Sequence, residues 1–420
     1  MRKNLTVAGA GLATLTLAVA GCSNKAADSS GGGSGSGDVK TDVGVTDDTI
    51  TLGALADLSG VFKVLSLAFT AGDQIWADDV NAAGGICGRE IKLDVQDTGY
   101  KVDNAIPVYD KIKTTSVGIV QMVGSPILAA LKTKIVSDHM LTSPGSWASS
   151  NLDAPEVMMV GQTYDVEMLN GLAYLQKEGK IADGDKIGHI YIDSEYGQGG
   201  LLGSQAYAKE HNMEIVAAPV SGTDTDMTAT ITKFKSEGVK AIAITLAPAG
   251  ASSAIVQNAA QGLNLPVVGS NPTFSPTMFT DQAVVDGLQN FYLMSSTAPY
   301  GTGGADAEKV AEEYAKKTQD APNIGVPQAY VTGLAWGEVL KKACENGDLT
   351  RAGVHKARTE LDSLDTKELT SKLDLTDPGA PSSREDFVIK VSADDVGGTK
   401  LVSELFAVDE AKDYKAPYQK

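Results

Sequence analysis

From Thr49 the chain alternates strand-like and helix-like segments, and past about Tyr164 the same rhythm starts again. In the first run, "TITLGALADLSG" is a buried strand entering a glycine turn. "AFTAGDQIWADDVNAAGG" then sets Phe69, Trp76 and Val80 on one helical face and stops at Gly84-Gly85. "EIKLDVQDTG", "NAIPVYDKIKTTS" and "VGIVQMVG" continue as strand, helix and strand, and "SPILAALKTKIVSDH" carries Ile127, Leu128, Leu131 and Ile135 on a helical stripe. The second run reads helix 165–178, strand "KIGHIYID", helix 200–211, strand "MEIVAAPV", helix 226–237, strand "KAIAITLA", helix 252–261 and strand "LPVVGSN". Strands joined through helices of this length require right-handed crossovers and a parallel sheet. Two runs therefore predict an α/β protein of two doubly wound parallel-sheet lobes. No close internal repeat is visible, so the duplication is architectural. Helices are expected at 305–317 and 327–344, followed by irregular strands and turns.

The start of the chain lies outside this body. Arg2 and Lys3 precede an apolar run ending Val19-Ala20-Gly21-Cys22, which resembles a bacterial lipobox with Cys22 as the lipidated first mature residue. Residues 1–21 are read as a lipoprotein signal peptide, and their removal takes the formal charge from −18 to −20 through the loss of Arg2 and Lys3. Residues 22–47 are Gly/Ser-rich and polar and are read as a flexible tether; some 20 such residues reach roughly 25 Å. No later stretch approaches the ~18 apolar residues of a membrane span. Acidity this strong argues against nucleic acid as a partner, which needs clustered Lys and Arg. Besides Cys22 there are only Cys87 and Cys344, and an even count in an exported chain invites a disulfide, with two buried thiols as the alternative.

In open parallel sheets ligands bind beyond the carboxyl ends of the strands. After "IVQMVG" stands Ser125-Pro126, a favoured helix start; the serine either caps its helix or offers a hydroxyl beside free N–H groups to a carboxylate. The next strand ends at Gly145-Ser146-Trp147. In the second run Tyr196 follows "IYID", and Asn271-Pro272 follows "VVGS", with Phe274 nearby. The stretch "YGQGGLLG" is a poor dinucleotide fingerprint. Leu202 holds the third glycine position, and no acidic residue follows the next strand at the required place. The histidines lack metal spacing, and no nucleophile elbow or phosphate loop occurs. Asp224 and Asp226 are read as an acidic helix start rather than a metal pair. No catalytic constellation is legible, so no enzyme, cofactor or metal is expected.

The segments "TITLGALADLSG", "AGDQIWADDVNAAGGICGREIKL", "MLTSPGS", "IYIDSEYGQG" and "VVGSNPTFSP" together resemble the leucine/isoleucine/valine-binding type of periplasmic receptor, the type I substrate-binding lipoproteins of ABC importers. The resemblance runs from Ile50 onward. It implies the type I periplasmic binding protein fold, in which a three-strand hinge joins lobe 1 (48–163 plus 296–385) to lobe 2 (164–295 plus 386–420). It further implies a monomer on the outer face of the cell membrane, with membrane permease subunits as partners. Ser125 matches the carboxylate-binding serine, Gly145-Ser146 a second carboxylate turn, and Tyr196 an aromatic wall, with Tyr164 and Asn271 closing from lobe 2. A Cys87–Cys344 bridge would clip the late segment to the early one.

Three departures from the family pattern bear on the ligand. Asn271 stands where a Glu is expected, Tyr164 (with Asp165 next) where an Asp is expected, and Ala247-Pro248 replace an aromatic residue. A buried ammonium without a countercharge costs several kcal/mol. The ligand is therefore either an amino acid, branched-chain or other, or an aromatic or aliphatic acid or amide. A sensory receptor feeding a signalling partner is the alternative; an extracytoplasmic hydrolase would need a nucleophile–base pair that is not seen.

Overall fold

The computed structural model describes residues 39–419; the signal peptide, Cys22 and tether residues 22–38 lie outside them. The chain begins with β1 (Lys40–Thr41), β2 (Thr49–Ala56), α1 (Lys63–Ala82), β3 (Glu90–Asp97), α2 (Val102–Ile112), β4 (Gly118–Met122), α3 (Ser125–Ser137) and β5 (Thr142–Pro144). It continues through α4 (Tyr164–Lys177), β6 (Lys186–Ile192), α5 (Glu195–Glu210), β7 (Glu214–Val220), α6 (Thr228–Glu237), β8 (Ala241–Thr245), α7 (Pro248–Ala260), β9 (Val267–Gly269), α8 (Gln282–Gly287) and β10 (Phe291–Ser295). The remainder is α9 (Ala305–Lys317), α10 (Gly325–Glu345), β11 (Asp348–Leu349), α11 (Arg351–Arg358), β12 (Phe387–Val391), β13 (Thr399–Leu401) and α12 (Asp409–Asp413).

Two sheets result. The first has the order β3-β2-β4-β5, all parallel. The second has the order β13-β12-β10-β9-β8-β6-β7. Its five strands from β6 to β10 are parallel, while β12 and β13 return antiparallel at one edge. The irregular C-terminal stretch thus completes the second sheet with a hairpin-like edge. The chain crosses between the sheets three times: between Pro144 and Tyr164, between Ser295 and Ala305, and between Arg358 and Phe387. This is a two-lobe type I fold.

Both faces of each sheet are covered, so strand residues of either parity are buried. In β8, Ile242 and Ile244 join the cluster containing Ile231 and Phe234 of α6, while Ala241 and Ala243 join the cluster of α4. In β2, Ile50, Leu52 and Ala54 pack with Trp76 of α1 and Trp336 of α10, whereas Leu55 belongs with α2 and α3. Cys87, after α1, is disulfide-bonded to Cys344 in the last turn of α10, with Cα atoms 6.2 Å apart. The bridge closes a long loop; such links contribute roughly 2–4 kcal/mol.

Two local expectations change. Residues 39–47, read as tether, are fastened to the body: β1 pairs in parallel with β11, and Val45 is buried. The alternation Val39, Thr41, Val43, Val45 carries that strand-like character. The glycines after "IYID" are not a turn ahead of a helix at 200 but lie inside α5, which starts at Glu195. A Cβ at Gly197 would strike the Ile192 carbonyl, and one at Gly203 the Asp165 backbone. The glycines let α5 lie directly on β6 and α4. Phosphate binding is not their role.

Candidate functional site

The chain leaves β4 through Val123 and Gly124, whose φ of 116° is open to glycine but strained for other residues. Helix α3 begins at Ser125, with Pro126 next. Ser125 is therefore the first helical residue, and its side chain caps nothing. Gly124 N–H instead donates to Ser146 Oγ at 2.7 Å, tying the β4 and β5 turns together. Ser125 Oγ is fully buried and has no partner. A buried hydroxyl left unpaired costs about 1–3 kcal/mol, and this one opens into a cavity between the lobes.

Lobe 1 lines that cavity with Phe62, Leu65, Tyr100, Val123, Ser125, Gly145 and Ser146, and lobe 2 with Tyr164, Tyr196 and Pro272. Buried Asp57 shapes the entry of α1, its carboxylate accepting from Gly60 N–H (2.5 Å) and Phe62 N–H (2.8 Å). Four rings run across the cleft: Tyr100 against Phe62 (4.9 Å between centroids), Phe62 against Tyr196 (6.2 Å) and Tyr196 against Tyr164 (4.7 Å). Tyr196 Oη is engaged on its own lobe, 2.7 Å from Ser270 Oγ and donating to the Leu246 carbonyl at 3.2 Å. Tyr164 N–H donates across the crossing to the Trp147 carbonyl at 3.0 Å. Burial holds the phenols of Tyr164 and Tyr196 well above their usual range, so both are neutral donors. The remaining space, about 10 Å³ for the centre of a water-sized sphere, has room for one water. Any larger ligand must part these rings, which the two lobes carry separately.

Among the described residues no carboxylate lines the cavity. The nearby acids are turned into the hinge. Asp165 accepts from Thr163 Oγ1 and from Val166 N–H. Glu167 Oε1 accepts from Asn271 Nδ2 (2.7 Å) and Gln162 Nε2 (3.1 Å). Asp386 accepts from Gln162 Nε2 (2.5 Å) and Asn170 Nδ2 (2.7 Å). Burial raises all three carboxyls. Glu167 is driven well up, further helped by the charge of Asp386, and Asp386 is pushed up to about 8.

Of the expected site residues, Ser125, Gly145, Ser146, Tyr164 and Tyr196 share one cavity; Asn271 does not reach it, because its amide is committed to Glu167, and its neighbour Pro272 takes the place. Phe62 and Tyr100 were not anticipated. Both follow carboxyl ends of strands, β2 and β3, so the rule that singled out Ser125 would also have found them. Asp224 accepts from Ser221 N–H and Asp226 from Thr228 N–H, which are turn and helix-start roles.

The periplasmic binding protein family pattern matches residues 49–392. The fold is similar to a fatty acid ABC transporter substrate-binding protein from Thermomonospora curvata, at 33% identity and a TM-score of 0.87, covering 90% of this chain and 97% of that one. It is also similar to a branched chain amino acid ABC transporter from Thermus thermophilus with bound valine (16% identity, TM-score 0.76, 88% and 99% covered). A branched-chain amino acid transporter substrate binding protein from Streptococcus pneumoniae in complex with isoleucine gives 20% identity and a TM-score of 0.69, with 84% and 99% covered. No match is found among curated proteins.

Proposed function

Because the chain belongs to the periplasmic binding protein family, we propose that it is the extracytoplasmic solute receptor of an ABC importer, capturing a small carboxylate with an apolar body. The observation that carries this reading is Ser125 Oγ, buried and unpaired at the start of α3 in an aromatic-lined cleft between two lobes. Ser125 and the first-turn N–H groups of α3 hold the carboxylate. Tyr164 and Tyr196 swing in with lobe 2 and cover the apolar body. No bond in the ligand is made or broken. An α-ammonium group would meet no acidic side chain in this cavity, which favours an acid without an α-amino group. The relative from Thermomonospora curvata, named for fatty acids, agrees with that preference. Lipid attachment at Cys22 would hold the receptor near its permease, and among the described residues no helix is long and apolar enough to cross a membrane.

A thermal-shift screen of the mature chain against aliphatic acids, aromatic acids and amino acids tests the reading. A true ligand at 100 times its Kd stabilises by about 2.7 kcal/mol. Ser125→Ala removes a hydrogen bond to a charged group, about 1.5–3 kcal/mol, and should weaken that ligand tenfold or more. Unchanged affinity would remove Ser125 from the site.

A further inference from the structure

A second chamber borders the first at Gly145. Its wall includes Phe69, Trp147, Asp73, Gln121 and Gln328, and its space is again about 10 Å³. The Phe69 ring and the Val123 side chain flank Gly145 between the two chambers. Asp73 comes from α1, Gln121 from β4 and Gln328 from α10; each is at most 3% exposed. Both oxygens of Asp73, both amide atoms of Gln328 and Oε1 of Gln121 have no partner, while Gln121 Nε2 donates to Ser66 Oγ at 3.2 Å.

Five unpaired buried polar atoms converging from three elements are costly, at about 1–3 kcal/mol each. Four of the five are oxygens, against one amide NH₂. Their complement is a group rich in donors, and a carboxylate together with two aromatic rings favours a cation. A protonated primary amine has three donors, a positive charge and a head about the size of the one water for which the chamber has room. Building on the carboxylate reading of Ser125, we infer that this chamber receives the protonated amine at the far end of the same ligand, making the preferred class an ω-amino acid with a short methylene chain. The methylene chain would run past Gly145, where the Phe69 ring and the Val123 side chain, 3.0 and 3.2 Å from the place a Cβ would take, close the way between the chambers and must move aside for it. Burial alone holds Asp73 well above the usual carboxylate range, and a bound ammonium beside it would draw it back down. This site also gives the receptor a reason to dispense with an acid beside the α-carbon: the amine it reads is elsewhere.

Calorimetric titration of the mature chain with pentanoate, 4-aminobutanoate, 5-aminopentanoate, 6-aminohexanoate and ammonium chloride is the test. At least one ω-amino acid should bind tenfold or more tightly than pentanoate. Asp73→Asn should abolish that preference while leaving pentanoate within twofold, and Gln328→Met should reduce it by threefold or more, guarding against a folding defect in one variant. Ser125-dependent binding of pentanoate with no gain from the amine overturns the amine chamber alone. Asp73-dependent binding of ammonium chloride without preference among the acids makes it an ion site and likewise overturns the inference. If none of the acids binds through Ser125, both this inference and the carboxylate reading fail.

Discussion

The paired carboxyls of Glu167 and Asp386 make the stability of the fold depend on pH in a direction that most proteins do not show. Asp386 is fully buried, and burial lifts it from 3.8 to about 8. Between those values the folded chain keeps a proton on Asp386 that the unfolded chain has lost. The unfolding free energy therefore falls with rising pH, by up to about 1.4 kcal/mol per unit for one retained proton. The contribution is fully present below pH ~4 and is lost as pH rises through about 8. From pH 5 to 7 that is on the order of a few kcal/mol, a sizeable part of an ordinary domain's stability. His189 works the other way. It is buried between Ser204 and Thr245 and lowered to about 3 by burial, so its contribution is lost as pH falls below ~6.5. Replacing Asp386 by Asn takes this carboxyl out of the pair, and with it the charge that helps raise Glu167. The asparagine keeps the shape of the neutral carboxyl, and Gln162, whose Oε1 has no partner, can turn its amide to meet the new NH₂. Urea unfolding at pH 5, 6, 7 and 8 at constant ionic strength should show the variant gaining on wild type by up to about 1.4 kcal/mol per pH unit. Parallel curves for the two proteins would refute the retained proton.

Replacing Cys87 and Cys344 together by alanine should lower the unfolding free energy by roughly 2–4 kcal/mol in urea titration. Gly203→Ala drives a Cβ into the Asp165 backbone and should cost about 1–3 kcal/mol, read as a fall in Tm, whereas Gly222→Ala, whose Cβ would meet the Ile192 side chain at an ordinary 3.6 Å, should cost less. Tyr196→Phe removes the hydroxyl held by Ser270 and Leu246 but keeps the ring in the cleft. It should cost about 0.5–1.5 kcal/mol of stability while changing affinity for an apolar acid little, as ligand titration would show.

The periodic parts of the chain were legible because their signal is local. Strands such as β8 and helices such as α10 are written in runs of apolar residues, and the position of Ser125 followed from where a strand hands over to a helix. The Cys87–Cys344 pairing was legible for a different reason: only two cysteines remained, on neighbouring elements of one lobe. What stayed hidden depends on partners distant in sequence. The glycines of α5 look like a loop until β6 and α4 are laid beneath them. Asn271 looks available to a ligand until Glu167, 104 residues earlier, is seen to claim its amide. The polar wall of Asp73, Gln121 and Gln328 has no sequence signature, since the three stand far apart in the chain and only the tertiary fold gathers them.

The short pairing of β1 with β11 has a mechanical meaning. If the protein hangs from its N-terminal end, any pull from the membrane enters at Lys40 and passes straight into Asp348 and the end of α10, which the disulfide welds to the start of β3. That load path runs wholly through the lobe bearing Ser125 and never through the three crossings. So moored, that lobe would be a fixed jaw, and the other jaw would be left to swing without working against its own leash.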